Sequence, residues 1–209
     1  MDDRGRPGVL AGIRRLVPPR DEGEKCDLCA DPIADRHRHL YEPAARQIAC
    51  SCAGCAVLFP AHAAGRYRLV PDRVVLLPEF ELADELWNEL LIPVNMAFFQ
   101  KSSVAGRAVA FYPGAAGAIE SQLPLEAWER IVATDPALAG LDTDVEALLA
   151  NRTGPIHEYY IVPIDECYRL AGLIRARWRG FSGGTEVWKE ITAFFDGLRA
   201  RAAKAGSRA

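Results

Sequence analysis

The sequence has no apolar run that approaches the roughly 20 residues needed to cross a bilayer; stretches such as Ala105–Tyr112 are far too short. It has no excess of positive charge. Twenty-five Lys and Arg stand against 28 Asp and Glu, a formal net charge of −3, which argues against a protein built to grip a phosphate backbone. There is no phosphate loop, because Gly183 and Gly184 are not followed by Lys and Ser or Thr, and no Rossmann glycine pattern follows a strand. Ser102, Ser103, Ser121 and Ser182 lack the nucleophile-elbow context. His62 and His157 are isolated, and no His-Glu-x-x-His motif occurs. An ordinary hydrolase is poorly supported, the balance leans against an enzyme without deciding it, and no nucleic-acid partner is expected. The amino end, MDDRGRPGVLAGIRRLVPPR, opens with two acids, and Arg and Pro break its short apolar patch. It does not read as a secretory signal, so a cytoplasmic location is expected.

A packed core is affordable. Half of the 209 residues are apolar and a quarter are charged, which excludes global disorder and leaves room for one domain, or one domain plus a small module. What stands out is cysteine. Five of the six fall between Cys26 and Cys55, and the sixth, Cys167, lies far away. Disulfide staples would be spread along the chain; clustered thiols read as metal ligands or redox groups.

Four segments follow. Residues 1–24 are expected to form a flexible arm, with room for one helical turn at Val9–Leu16. Residues 25–66 form a cysteine-rich metal-binding module, 67–204 an α+β domain, and 205–209 a tail. Within the domain, Tyr67–Leu77 suggests a hairpin or bent strand around a Pro-Asp turn. Ala83–Leu91 reads as a short amphipathic helix. Val94–Gln100 and Arg107–Tyr112 make an antiparallel hairpin. Leu125–Ala133 and Asp144–Ala150 read as helices, and His157–Val162 as a strand. Ile164–Trp178 is helical, with Cys167, Leu170, Ala171, Ile174 and Trp178 on one face. Thr185 starts a last helix with Val187, Ile191, Phe194, Phe195 and Leu198 on one stripe. The fold class is α+β, with a small antiparallel sheet and carboxy-terminal helices.

The cysteine pattern is Cys26-Asp27-Leu28-Cys29, a spacer, then Cys50-Ser51-Cys52-Ala53-Gly54-Cys55. A two-residue gap lets one tight turn present two thiolates to one ion, and two such knuckles complete a tetrahedron. The ligand set is Cys26, Cys29, Cys52 and Cys55. Cys50 is a spare or an alternate for Cys52. The spacer holds strand-like His37–Tyr41 and Gln47–Ala49, and His37 and His39 share one strand face; either could complete a mixed site, or both are surface histidines. The expected ion is Zn2+, in a zinc-ribbon or rubredoxin-like module. The alternatives are a single Fe and, further off, an Fe–S cluster. Rubredoxin modules carry glycine after each pair and Pro inside the second; here those positions are Ala30, Ala56 and Ala53.

Other features have plain readings. Cys167 on an apolar helix face is a buried small hydrophobe. Asp165 and Glu166 open a helix, where the dipole favours acids. Residues 169–209 hold nine basic and three acidic side chains, a net of +6, against −9 for the rest. Arg169, Arg175, Arg177 and Arg179 with Trp178 and Phe181 could form a docking face, or a solvated helix.

The strings CDLCADPIADRHRHLYEPAARQIACSCAGCAVLFP, GRYRLVPDRV, IPVNMAFFQKSS, FYPGAAGAIES and VPIDECYRLAGLIRARWRGFSGGTEVWKEITAFF resemble an uncharacterised bacterial family that accompanies NiFe hydrogenase genes, over residues 25–200. The resemblance implies a hydrogenase accessory or maturation role, or electron transfer around that enzyme. The implied partner is a hydrogenase subunit or maturation factor. The matching residues that could act are Cys26, Cys29, Cys50, Cys52 and Cys55, with His37 and His39 beside them. Three functions follow: a zinc-binding accessory protein, a mononuclear iron electron carrier, or a metalloenzyme with an open metal site.

Overall fold

The computed structural model describes residues 23–62, 65–114, 116–121, 124–178 and 183–206. The turn expected at Val9–Leu16 lies outside them, as do Arg179, Phe181 and Ser182. The fold is α+β, built on two antiparallel sheets with helices at the carboxy end.

The larger sheet has six strands. They are β4 (Val75–Leu76), β5 (Met96–Ser102), β6 (Arg107–Gly114), β7 (Gly117–Ser121), β8 (Glu146–Asn151) and β9 (Glu158–Pro163), in the order β4-β9-β8-β5-β6-β7. Every pairing is antiparallel. The expected β5–β6 hairpin pairs Phe98 with Phe111. Successive side chains point to opposite faces, and both faces are covered. Met96, Phe98, Val109, Phe111, Leu149 and Tyr160 meet the stripes of helices α5 (Ile164–Arg177) and α6 (Thr185–Gly206). Ala97, Phe99, Ala110, Leu148, Ala150 and Tyr159 meet α2 (Asp84–Glu89), α3 (Leu125–Thr134) and the one-turn α4 (Pro136–Ala139). A sheet buried on both sides contributes about 1.5–3 kcal/mol for each large apolar side chain removed from water.

Two expectations are corrected. Asp144–Ala150 was expected as a helix, but Glu146–Asn151 is strand β8, paired on both sides and buried at every position. Glu146, Ala147, Leu148, Leu149 and Ala150 are good helix formers. A strand covered on both faces shows no alternation, so local preference misleads. The second correction concerns Tyr67–Leu77. It is neither one hairpin nor one bent strand: Arg68–Leu69 (β3) and Val75–Leu76 (β4) belong to different sheets. Val70 and Val74 between them are buried in the α5–α6 core.

The smaller sheet has the order β2-β1-β3, from β1 (Arg38–Glu42), β2 (Gln47–Ser51) and β3. It is fastened to the body. Tyr41 is buried in the α5–α6 core, with Ile48 packed against it, and its hydroxyl lies 3.3 Å from that of Tyr168 on α5. Arg46 pairs with Glu120 of β7 at 2.7 Å and lies over the Phe111 ring. Among the described residues, no helix is long and apolar enough to cross a membrane.

Two buried carboxylates hold the crossing between the sheets. Asp144, at φ 71°, accepts from the Ser103 N–H at 2.7 Å and from Arg68 at 3.2 Å. Glu146 is fully buried and receives both the Nε and an Nη of Arg73, with the Asp142 N–H adding a bond at 3.0 Å. Removing the guanidinium would leave a charged carboxylate in the core. The Arg73→Ala variant is expected to lose about 3 kcal/mol, the low end for a broken buried pair because Arg73 is half in water; a lowered urea midpoint at unchanged slope would show it, and an unchanged midpoint would contradict it.

Candidate metal centre

The first cysteine pair sits in a tight turn. The Ala30 N–H donates to the Cys26 carbonyl at 2.8 Å, and the Cys26 N–H donates to the Asp31 carbonyl at 2.8 Å. Ala30 takes φ 63°, a left-handed conformation that costs a non-glycine residue about 1–2 kcal/mol. The turn required after the second cysteine is therefore made, with Ala rather than Gly.

The second pair is built differently, and here the zinc-ribbon expectation of two facing knuckles is corrected. Cys52 directly precedes helix α1 (Ala53–His62), and Cys55 lies in its first turn. The Ala56 N–H donates to the Cys52 carbonyl at 2.9 Å, so Cys52 is the N-cap. Its sulfur does what a capping oxygen does, accepting the Cys55 N–H at 3.4 Å. Ala56 is therefore helical and faces no demand for glycine.

A backbone clamp brings the halves together. The Asp27 N–H donates to the Cys50 carbonyl at 2.9 Å, and the Cys50 N–H donates to the Asp27 carboxylate at 2.6 Å. The sulfurs of Cys26, Cys29, Cys52 and Cys55 then lie within 4.8 Å of one another, with Cys29 and Cys52 at 3.7 Å. A tetrahedron with metal–sulfur bonds near 2.3 Å has sulfur–sulfur edges of about 3.8 Å. All six cysteines are free thiols. Cys26 and Cys55 are buried, Cys52 is half-buried and Cys29 faces solvent. The cluster can hold a metal ion.

The electrostatics agree. Burial pushes the Cys26 thiol up, but N–H groups of Cys52, Leu28 and Cys29 outweigh it and bring the pKa down to about 6. Burial, then the neighbouring sulfurs Cys52, Cys29 and Cys26, drive Cys55 far the other way. The two thiols are thus driven in opposite directions within one cluster. A cation among the sulfurs would remove that conflict.

Cys50, His37 and His39 do not join this cluster. They form a second group whose ligand atoms lie within 4.8 Å of one another. His39 stands directly opposite Cys50 in the β1–β2 register, and His37 is two residues earlier. Asp165, at the start of α5, accepts from His39 Nδ1 at 2.6 Å. This bond raises the His39 pKa against the opposing effect of burial. Spacing alone gave no sign of this contact across 126 positions; the acid was explained by the helix dipole. Its neighbour Glu166 is buried and pairs with Arg169 and Arg201. Cys167 is buried in the core, its thiol pushed well up by burial. An open cleft of about 1160 Å3 adjoins the second group, lined among others by His37, His39, Asp72, Asp165 and Arg201.

A family model described as a family of unknown function (DUF5947) matches residues 25–202, and the chain belongs to that family. Neither the curated proteins nor the solved structures gave a match.

If the four sulfurs share one ion, Cys29→Ser should lower bound metal per chain, whereas Cys167→Ala should leave it unchanged. Elemental analysis of both variants decides this. Unaltered metal in Cys29→Ser would remove that residue from the ligand set.

Proposed function

We propose that this member of the DUF5947 family is a metal-binding accessory protein in which Cys26, Cys29, Cys52 and Cys55 hold one structural Zn2+ and the α+β body docks a protein partner. The convergence of four free thiols within 4.8 Å carries the reading. Four sulfurs fill a tetrahedral ion, and a filled shell suits a structural role rather than an open catalytic one. The small sheet has few buried apolar residues of its own beyond Leu40 and Tyr41, so an ion would supply much of its folding energy.

A single iron in the same cage, acting as an electron carrier, is the second reading. Four thiolates suit either ion, and the exposed Cys29 would give electrons a short route out. The helix-borne second pair, with Ala53 and Ala56 where rubredoxins have Pro and Gly, supports zinc. The partner is proposed as a NiFe hydrogenase subunit or maturation factor. Its support is the sequence resemblance, together with the exposed Val57 and Leu58 on the helix that carries the second cysteine pair.

Anaerobically purified protein is expected to be colourless, with zinc at the four-cysteine site by elemental analysis. A red protein whose charge-transfer bands bleach on reduction would transfer the assignment to iron. Affinity capture from a hydrogenase-expressing host is expected to recover a hydrogenase component; recovery of none would overturn the proposed partner.

A further inference from the structure

We infer that His37, His39 and Cys50 form a second metal site, which takes one divalent ion of the zinc, cobalt or nickel class and keeps a coordination position open to the cleft. The inference does not rest on the accessory role or on the identity of the ion held by the four cysteines.

The hydrogen bonds determine which ring nitrogens are free. A carbonyl oxygen only accepts, so His37 Nδ1, 2.9 Å from the Ala34 carbonyl, carries a proton. His39 Nδ1 lies 2.6 Å from the Asp165 carboxylate and donates to it. In the neutral rings the lone pairs are then on the two Nε2 atoms. These face each other at 3.1 Å. Two lone pairs at that distance repel unless a proton or a metal ion sits between them. The Cys50 sulfur completes the triangle and becomes a third negative or lone-pair donor.

The spacing suits an ion. Metal–nitrogen bonds of 2.0–2.1 Å in a tetrahedron put the nitrogens about 3.3 Å apart. Two imidazoles and a thiolate favour zinc, cobalt or nickel over magnesium or calcium. The outer contacts are those of ligating histidines, each of which gives its second N–H to a carboxylate or carbonyl. Asp165 is itself held, since its Oδ1 accepts the Glu166 N–H at 2.9 Å. Among the described residues, no fourth ligand atom belongs to this group. The cleft stands beside it, so the remaining position is available to water or a small anionic ligand. Cys50 and Cys52 are two residues apart, yet they serve different groups.

The test uses the full chain, purified anaerobically and titrated with Co2+, read by visible absorption and by metal analysis after desalting. Two metal ions per chain are expected. His39→Ala and Cys50→Ala should each hold one ion, with four-thiolate charge-transfer bands and far-ultraviolet circular dichroism unchanged. Asp165→Asn should weaken the second ion by about ten- to hundred-fold and leave the first unaltered. A single ion in the unmodified chain, carrying the four-thiolate bands, would mean that a shared proton joins the histidines, and would overturn the inference. Two ions in both His39→Ala and Cys50→Ala would also overturn it. Failure of the four-cysteine reading would look different: the four-thiolate bands would be missing while a His39-dependent ion remained.

Discussion

Four sulfurs held nearly in contact can all be thiolates only when positive charge sits among them. The arrangement at Cys26, Cys29, Cys52 and Cys55 concentrates donors on one point: backbone N–H groups lower Cys26 against burial, and burial together with the neighbouring sulfurs pushes Cys55 up. A dication converts this opposition into bonding. The turn at Ala30, the Asp27–Cys50 clamp and the start of α1 all meet at the cluster, so a bound ion would tie the small sheet together at that point.

The same small sheet also serves the body. Alternation along β1 sends His39 and Tyr41 to one side, and His37, just before the strand, meets His39 there. Tyr41 enters the core beneath α5, while His39 stops at the first turn of that helix and meets Asp165. One strand face therefore runs from cleft to core, and the packing of Tyr41 against Tyr168 sets where the histidines stand. The paired carboxylates Asp144 and Glu146 hold the crossing from β3 to β4 on the far side of that seam.

Sequence reading worked where a signal is local. The stripes of α5 and α6, the β5–β6 hairpin and the strands of the cysteine module all carry a period that their own residues display. It failed at β8, whose burial on both faces erases alternation and leaves only the helical preference of Glu, Ala and Leu. It also failed at 67–77, where the two strands join different sheets and no local feature says which.

The spacing of the cysteine pairs by itself singled out Cys26, Cys29, Cys52 and Cys55 as thiols that could share an ion, with Cys50 as an alternate, because a two-residue gap brings side chains together within a single turn. Where Cys50, His37 and His39 stand was decided only by tertiary structure. The β1–β2 register puts His39 across from Cys50, and the docking of α5 carries Asp165 to the imidazole from 126 residues away. Contacts of that separation depend on how whole elements pack, and a single chain of letters holds no local trace of them.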